Sequence, residues 1–302
     1  MDVPRAVFAS PARRVARQES EMERVPATAM VSGGKISGPD AREIPLKSFF
    51  ADPPIVRQTI VTRFNLRLAN NNDAYRRPDW LARRLHLVKR FSAPSIRVQR
   101  WPFFEWWILC DVTTPADLLA AIRGLDPRVR IGLVGPEEEI DAASRLLADG
   151  FISDANSSGQ LLDRGVDIHM TTRVDSDDGL DRDFTRAVAD RLPIFLATAL
   201  PRFLIVSARG YQWHDTEKYL IPMTVPRGPM QTMYERADLV SSFHGAYVGN
   251  HNHSAEKYPG FADVERVAYV YVFHGDNEVG KMRRSRVRLA ASDLGDQFHL
   301  EW

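Results

Sequence analysis

The chain has 302 residues, 44% of them hydrophobic, with 40 Lys+Arg against 39 Asp+Glu. This length and composition suit a folded protein with a real core, and the near-neutral balance excludes a global field that would draw the chain to nucleic acid or to an acidic membrane. The single cysteine, Cys110, lies in the apolar run FEWWILCDV and cannot form an internal disulfide, so it reads as a small buried hydrophobe in a reducing cytoplasm.

Residues 1–53 are rich in Pro, Ala, Ser, Gly and Arg and hold no hydrophobic period. Such a segment buries too little apolar surface to offset its ordering entropy, which predicts a disordered N-terminal extension ahead of one domain over 54–302. Arg13, Arg14 and Arg17 are not followed by a continuous apolar run, and Glu19, Glu21 and Glu23 are out of place in a transit peptide.

Order is expected from Ile55. IVRQTIVTRF suits a first strand, and PDWLARRLHLVKRFSAPSI carries Trp80, Leu81, Leu85, Val88 and Phe91 at helical spacing. FFEWWILCDV reads as a second strand, with Phe104 and Trp106 on one face and Phe103 and Trp107 on the other. PADLLAAIRGL then reads as a helix between Pro115 and Gly124, and VRIGLVG as a third strand. PEEEIDAASRLLADGF continues as a helix, VDIHMTTRV as a strand and DRDFTRAVADRL as a helix. LPIFLATALPRFLIVSA is interrupted by Pro201 and Arg202, which predicts a core helix running into a strand rather than a bilayer span. RVAYVYVFHG is the last strand, and the Pro-, Gly- and His-containing region 222–259 before it reads as irregular, as in a lid or binding surface. Strands alternating with helices predict an α/β layered, Rossmann-type fold with a mostly parallel central sheet flanked by helices.

TTRVDSDDGL places Asp175, Asp177 and Asp178 at the C-terminal end of a strand, where open α/β sheets bind ligands. A solvated turn is one reading of so acidic a segment. A calcium loop fails, because Gly179 comes one place early and Arg186 stands where a bidentate Glu is required. A two-metal phosphoesterase would draw its ligands from several strand ends. The remaining reading is one Mn²⁺ or Mg²⁺ shared with a diphosphate, held by Asp177 and Asp175 on the same side of a tight turn, with Asp178 pointing elsewhere or binding through water.

VTRFN, PSIRVQ, WWILCDVTTP, TTRVDSDDGL and HGDN, in this order, resemble the rhamnosyltransferase family of bacterial glycosyltransferases, which has the nucleotide-sugar-binding GT-A fold. The resemblance spans about residues 55 to 290 and sets VDSDDG against the family's D-x-D metal motif. It implies a metal-dependent transferase acting on a dTDP-, GDP- or UDP-sugar, with a glycan, lipid-linked or protein acceptor and no nucleic acid partner. It also implies that Asp111 recognises base or ribose, although a helix cap before TTPADLL explains that residue equally well.

Arg63 and Asn65 end the first strand, where guanidinium and amide groups can bind diphosphate or base, and Arg173 precedes the acids. Inverting enzymes of this fold usually place a carboxylate base downstream of the metal motif. Glu235 in GPMQTMYE is therefore the first candidate to take the acceptor's proton, ahead of Asp215 and Glu217 in WHDTEKY. Of His244, His251, His253 and His274, the last is preferred for closing over the nucleotide or completing the metal shell, because HGDN matches the family. The basic run KMRRSRVRL, with Arg283, Arg284 and Arg286, suits diphosphate binding or a peripheral contact with the inner face of the membrane. A non-catalytic carbohydrate-binding protein of the same fold is the alternative from another class.

Overall fold

The computed structural model describes residues 7–8, 54–66, 74–135, 166–240, 244–246, 251–274, 285, 287–300 and 302. The helix expected over 136–151 and the extension over 1–53, apart from residues 7–8, lie outside the described residues.

The strands are β1 (Val7–Phe8), β2 (Val56–Asn65), β3 (Glu105–Asp111), β4 (Val129–Val134), β5 (Ile168–Arg173), β6 (Gly179–Leu180), β7 (Arg202–His214), β8 (Tyr219–Thr224), β9 (Gln231–Arg236) and β10 (Gly260–Phe273). The helices are α1 (Pro78–Leu87), which runs through the π-turn Val88–Ser92 into α2 (Ala93–Arg97), then α3 (Ala116–Arg123), α4 (Phe184–Asp190), α5 (Leu192–Leu196) and α6 (His251–Lys257). The sheet has the order β1-β10-β7-β9-β5-β2-β3-β4, with β6 on β10 and β8 on β7. β4, β3, β2 and β5 are mutually parallel. β9 is inserted antiparallel between β5 and β7, and β7 is again parallel to β10. The sheet is therefore mixed, and six long strands, β2, β3, β4, β5, β7 and β10, end at one common edge.

Both faces of the parallel half are covered, so its strands are near-continuous apolar runs. Ile60, Val61, Trp106, Trp107, Ile108 and Cys110 are all fully buried. Trp106 also satisfies its indole N–H on the Thr62 hydroxyl at 3.0 Å, which makes a large side chain tolerable deep in the core. Phe103 departs from the expected alternation. It precedes β3, is 70% exposed, and packs edge-on against Trp101 at 5.0 Å.

The region 222–259 departs from expectation more strongly, because it contains the end of β8, all of β9 and helix α6. QTMYER reads as a polar segment, yet every residue of β9 is buried. Its polar groups are individually paired: Thr232 with Thr172, Glu235 with Arg202, and Arg236 with the Leu196 carbonyl. Burial of polar side chains is tolerated where each has a partner, and composition carries no record of those partners. At the junction of β7 and β10, a Cβ on Gly260 would fall 1.7 Å from the Leu204 carbonyl oxygen, so only glycine permits that approach.

Trp106→Ala removes a buried ring and its hydrogen bond and is expected to cost about 3–5 kcal/mol, while Phe103→Ala is expected to stay within about 0.5 kcal/mol of the parent. Urea unfolding of the two variants checks the difference.

Candidate active site

The strand ends decide what meets what. Asp175 follows β5 by two residues, Arg63 and Asn65 end β2, Asp111 ends β3, and Asp215 and His274 directly follow β7 and β10. Parallel pairing brings all of these to the same edge, around the turn 174–178.

Within that turn the three aspartates face different surroundings. Asp175 is 29% exposed and accepts a bond from Arg63 Nη2 at 3.1 Å, with Arg173 Nη2 at 4.0 Å. Burial alone would raise its pKa, but Arg63 and then Arg173 hold its carboxyl well below the usual carboxylate range. Asp177 takes Arg84 Nη1 at 3.2 Å and His274 Nε2 at 2.9 Å on the same oxygen, Oδ2. Against the effect of burial, Arg84 and the His274 hydrogen bond pull it down as well. Asp178 turns away and is fully buried. Its Oδ1 accepts the Val272 N–H at 3.1 Å, and its Oδ2 has no partner among the described residues. Burial and then the neighbouring Asp177 and Asp175 push its carboxyl well above the ordinary value, which favours the protonated form. Two ionised carboxylates thus face three guanidinium groups, and the crevice carries surplus positive charge.

These residues fit a divalent ion of one kind. Among the described residues no group of three or more His, Cys, Asp or Glu is arranged to hold a metal. Magnesium-type sites, however, use one or two carboxylates together with substrate phosphates, and Asp175 and Asp177 supply that pair at the crevice. Asp178 stands apart from this pair, since its side chain is wholly buried and its Oδ1 is taken up by the Val272 N–H of β10.

Other expected residues are placed differently. Asn65 is buried and turned inward. Its amide bonds the Tyr75 carbonyl and the Thr114 hydroxyl, and its Oδ1 accepts the Asp111 N–H. Asp111 Oδ1 caps the turn at Thr113 through both the N–H and the hydroxyl, and Oδ2 lies 3.6 Å from Arg76 Nη2; it does not cap α3, whose N-cap is Pro115. Asp215 reaches the edge but is clasped by Arg90, Lys218 and the Trp213 indole at 2.9, 2.9 and 3.0 Å. Despite burial, these bonds lower it to about 2. Arg283, Arg284 and Arg286 lie outside the described residues.

Glu235 is the main correction. Gln231 opposes Arg173 at the acidic edge, and β9 runs away from it, so Glu235 sits four residues on, about 13 Å along the strand. There it is fully buried, bonded to Arg202 Nε at 2.9 Å and to the N–H groups of His244 and Gly245 at 2.7 and 2.8 Å. It stands at the opposite end of the sheet from Asp175 and Asp177, as a clasp for the segment after β9.

Three residues enter the site that sequence reading passed over or left undistinguished. Arg84 interrupts the apolar stripe of α1 one helical turn after Leu81 and one before Val88, and an arginine on a buried face is the signal that marks it. Gln231 is fully buried and holds the head of α6, donating to the His251 carbonyl at 2.9 Å and accepting from Ser254 Oγ at 2.6 Å. His251 is thereby set beside the acidic turn. Burial and then Arg173 lower its imidazole to about 4, with Asp175 and Arg63 also within electrostatic reach.

The fold and the site together define a layered α/β protein whose parallel strand ends gather arginines around two aspartates. A family model described as "Putative rhamnosyl transferase" matches residues 61–286, most of the chain, and the protein belongs to that family. No protein of curated function matches the sequence. Among solved structures, S. aureus TarS is similar at 10% identity over 72% of this chain and 37% of that chain, with a TM-score of 0.36. TarS 1-349 in complex with UDP-GlcNAc gives 11%, 74%, 60% and 0.32. HddC from Yersinia pseudotuberculosis gives 8%, 72%, 89% and 0.27. The chain thus spans little more than a third of the TarS chain first compared.

A carboxyl that is neutral when folded but ionised when unfolded contributes stability below the unfolded value and loses it as pH rises. Asp178→Asn is therefore expected to gain stability relative to the parent as pH rises from the ordinary carboxylate value, about 4, toward neutrality. Urea unfolding across that range in EDTA measures the divergence.

Proposed function

We propose that this edge binds a nucleoside-diphosphate sugar together with Mn²⁺ or Mg²⁺ and transfers the sugar, with inversion, to a glycan, lipid-linked or protein acceptor. The observation that carries the reading is the pairing of Asp175 and Asp177 at the end of β5 with Arg63, Arg84 and Arg173 around them. A hydrolase of simple esters needs no such surplus of guanidinium groups, whereas a departing nucleoside diphosphate does. Negative charge builds on its oxygens as the glycosidic bond breaks, and fixed cations there stabilise the transition state more than the ground state.

Asp175 and Asp177 would hold the ion, which supplies concentrated positive charge against the diphosphate. Arg173, only 4% exposed in its side chain, is the fixed guanidinium of the set and orients the phosphates. His274 keeps Asp177 aimed at the crevice through its 2.9 Å contact. The acceptor's proton falls to Asp215 or His251, which stand at this edge. Of the two, His251 gains basicity when a diphosphate brings negative charge beside it, while Asp215 is held acidic by three donors. Among the described residues no helix is long and apolar enough to cross a membrane, so a lipid-linked acceptor would be met from the surface.

A thermal-shift panel of UDP-, GDP-, dTDP- and CDP-sugars with and without Mn²⁺ tests the reading. One donor should stabilise the protein by about 2.7 kcal/mol at a hundredfold excess over its dissociation constant, and only with metal. Asp177→Asn should abolish that shift while keeping its own fold, with kcat lower by about 10² or more. His251→Gln should keep the shift and lower kcat by about 10². Equal stabilisation with and without Mn²⁺, or no donor in the panel acting at all, would overturn the proposal.

A further inference from the structure

The arginines that neutralise the aspartates stand where a divalent ion would have to act, and they differ in how firmly they are fixed. Arg173 is almost wholly buried and lies 4.0 Å from Asp175. Arg63 and Arg84 are closer, at 3.1 and 3.2 Å from Asp175 and Asp177, and their side chains are 21% and 18% exposed. They are reached from two different elements, the end of β2 and the body of α1. Arg84 also lies over the Trp80 ring at 5.2 Å, and its buried Nε has no hydrogen-bond partner among the described residues. A guanidinium with an unsatisfied buried N–H has not used its full hydrogen-bonding capacity, so an incoming acceptor can improve on its present arrangement.

An ion entering between Asp175 and Asp177 on its own meets a crowded field. It must take the carboxylate oxygens from two charge-assisted bonds and then sit beside three guanidinium groups. A nucleoside diphosphate on its own meets the converse difficulty, since the carboxylates repel it while they still engage the arginines. Bound together, the two ligands resolve both conflicts: carboxylates go to the ion, and arginines go to phosphate oxygens, for which their planar fork is well suited.

Resting on the proposed donor reading, we propose that Arg63 and Arg84 are exchangeable counter-ions. They occupy Asp175 and Asp177 in the empty crevice and transfer to the diphosphate on loading, so that metal and nucleotide bind as a coupled pair and each binds poorly alone. The empty site is thereby kept neutral enough to stay folded and closed to stray divalent cations. Because coupling is reciprocal, the factor by which nucleotide strengthens metal binding equals the factor by which metal strengthens nucleotide binding.

The direction of one mutant effect separates this from a merely structural role. If Arg84 only braces Asp177, removing it weakens metal binding. If it competes with the ion, Arg84→Met strengthens the binding of metal alone while weakening that of nucleotide. The test is the free Mn²⁺ signal in electron paramagnetic resonance, titrated with the full chain, alone and with UDP, GDP or dTDP, against protein-free nucleotide controls. Arg63→Met serves as a second, independent variant, and circular dichroism verifies that both fold.

The parent is expected to bind Mn²⁺ about tenfold or more tightly with the effective nucleotide than without it. Each variant is expected to bind Mn²⁺ alone several-fold more tightly than the parent, and to gain less from nucleotide. Variants that bind Mn²⁺ alone no better than the parent, or a parent indifferent to nucleotide, would overturn the exchange while leaving a metal-dependent donor site standing. No Mn²⁺ bound by the parent in any arm would instead remove the donor reading itself, and the exchange with it.

Discussion

The site depends on one electrostatic constraint: two ionised carboxylates, Asp175 and Asp177, are held within one turn at a sheet edge and must be compensated. Arg63 from β2, Arg173 from β5 and Arg84 from α1 do so in the empty protein, with His274 from the end of β10. Because the compensating groups come from elements distant in sequence, the turn is also a junction that ties the parallel half of the sheet to its C-terminal half. The third aspartate works in the same direction. Complete burial, and then the two adjacent charges, favour the protonated form of Asp178, and its Oδ1 accepts the Val272 N–H as an internal prop under β10.

The antiparallel insertion of β9 gives the sheet its two ends of different character. At the acidic edge its first residue, Gln231, meets Arg173 and anchors α6; at the other its Glu235 meets Arg202. The crevice is therefore walled by a helix on the β9 side and by α1 on the β2 side. Each wall is positioned by a buried polar contact in addition to apolar packing, and such contacts fix orientation more sharply than hydrophobic burial does.

Much of this was legible in the sequence, for identifiable reasons. Strands buried on both faces, such as EWWILCD and IHMTTR, announce themselves by apolar and β-branched runs, and the acidic turn stands out because unpaired charges are rare after such a strand. The acidic turn and the ordered motifs single out Arg63, Arg173, Asp175, Asp177 and His274, and the structure gathers these five at one sheet edge. What the sequence concealed was pairing. QTMYER looks exposed until Thr172, Arg202 and the Leu196 carbonyl are seen to satisfy it, and Glu235 looks catalytic until the antiparallel register carries it to the far end. Arg84 is hidden in PDWLARRLHLV because the helical period is carried by its apolar residues, Leu81, Leu85 and Val88, and one arginine among several gives no sign of which faces inward.

The far-end clasp has a consequence for how the crevice keeps its shape. Glu235 ties His244 and Gly245 to Arg202, and His244 in turn meets the Tyr258 hydroxyl at 2.7 Å, just after α6. Tyr258 follows the last residue of α6 and His251 is its first, so the tilt of this helix, and with it the stance of the imidazole near Arg173 and Asp175, is tied to the opposite rim of the molecule. A buried acid remote from the aspartate turn thus helps to set the reach of a side chain beside that turn, in the manner of a stay holding a mast from its foot.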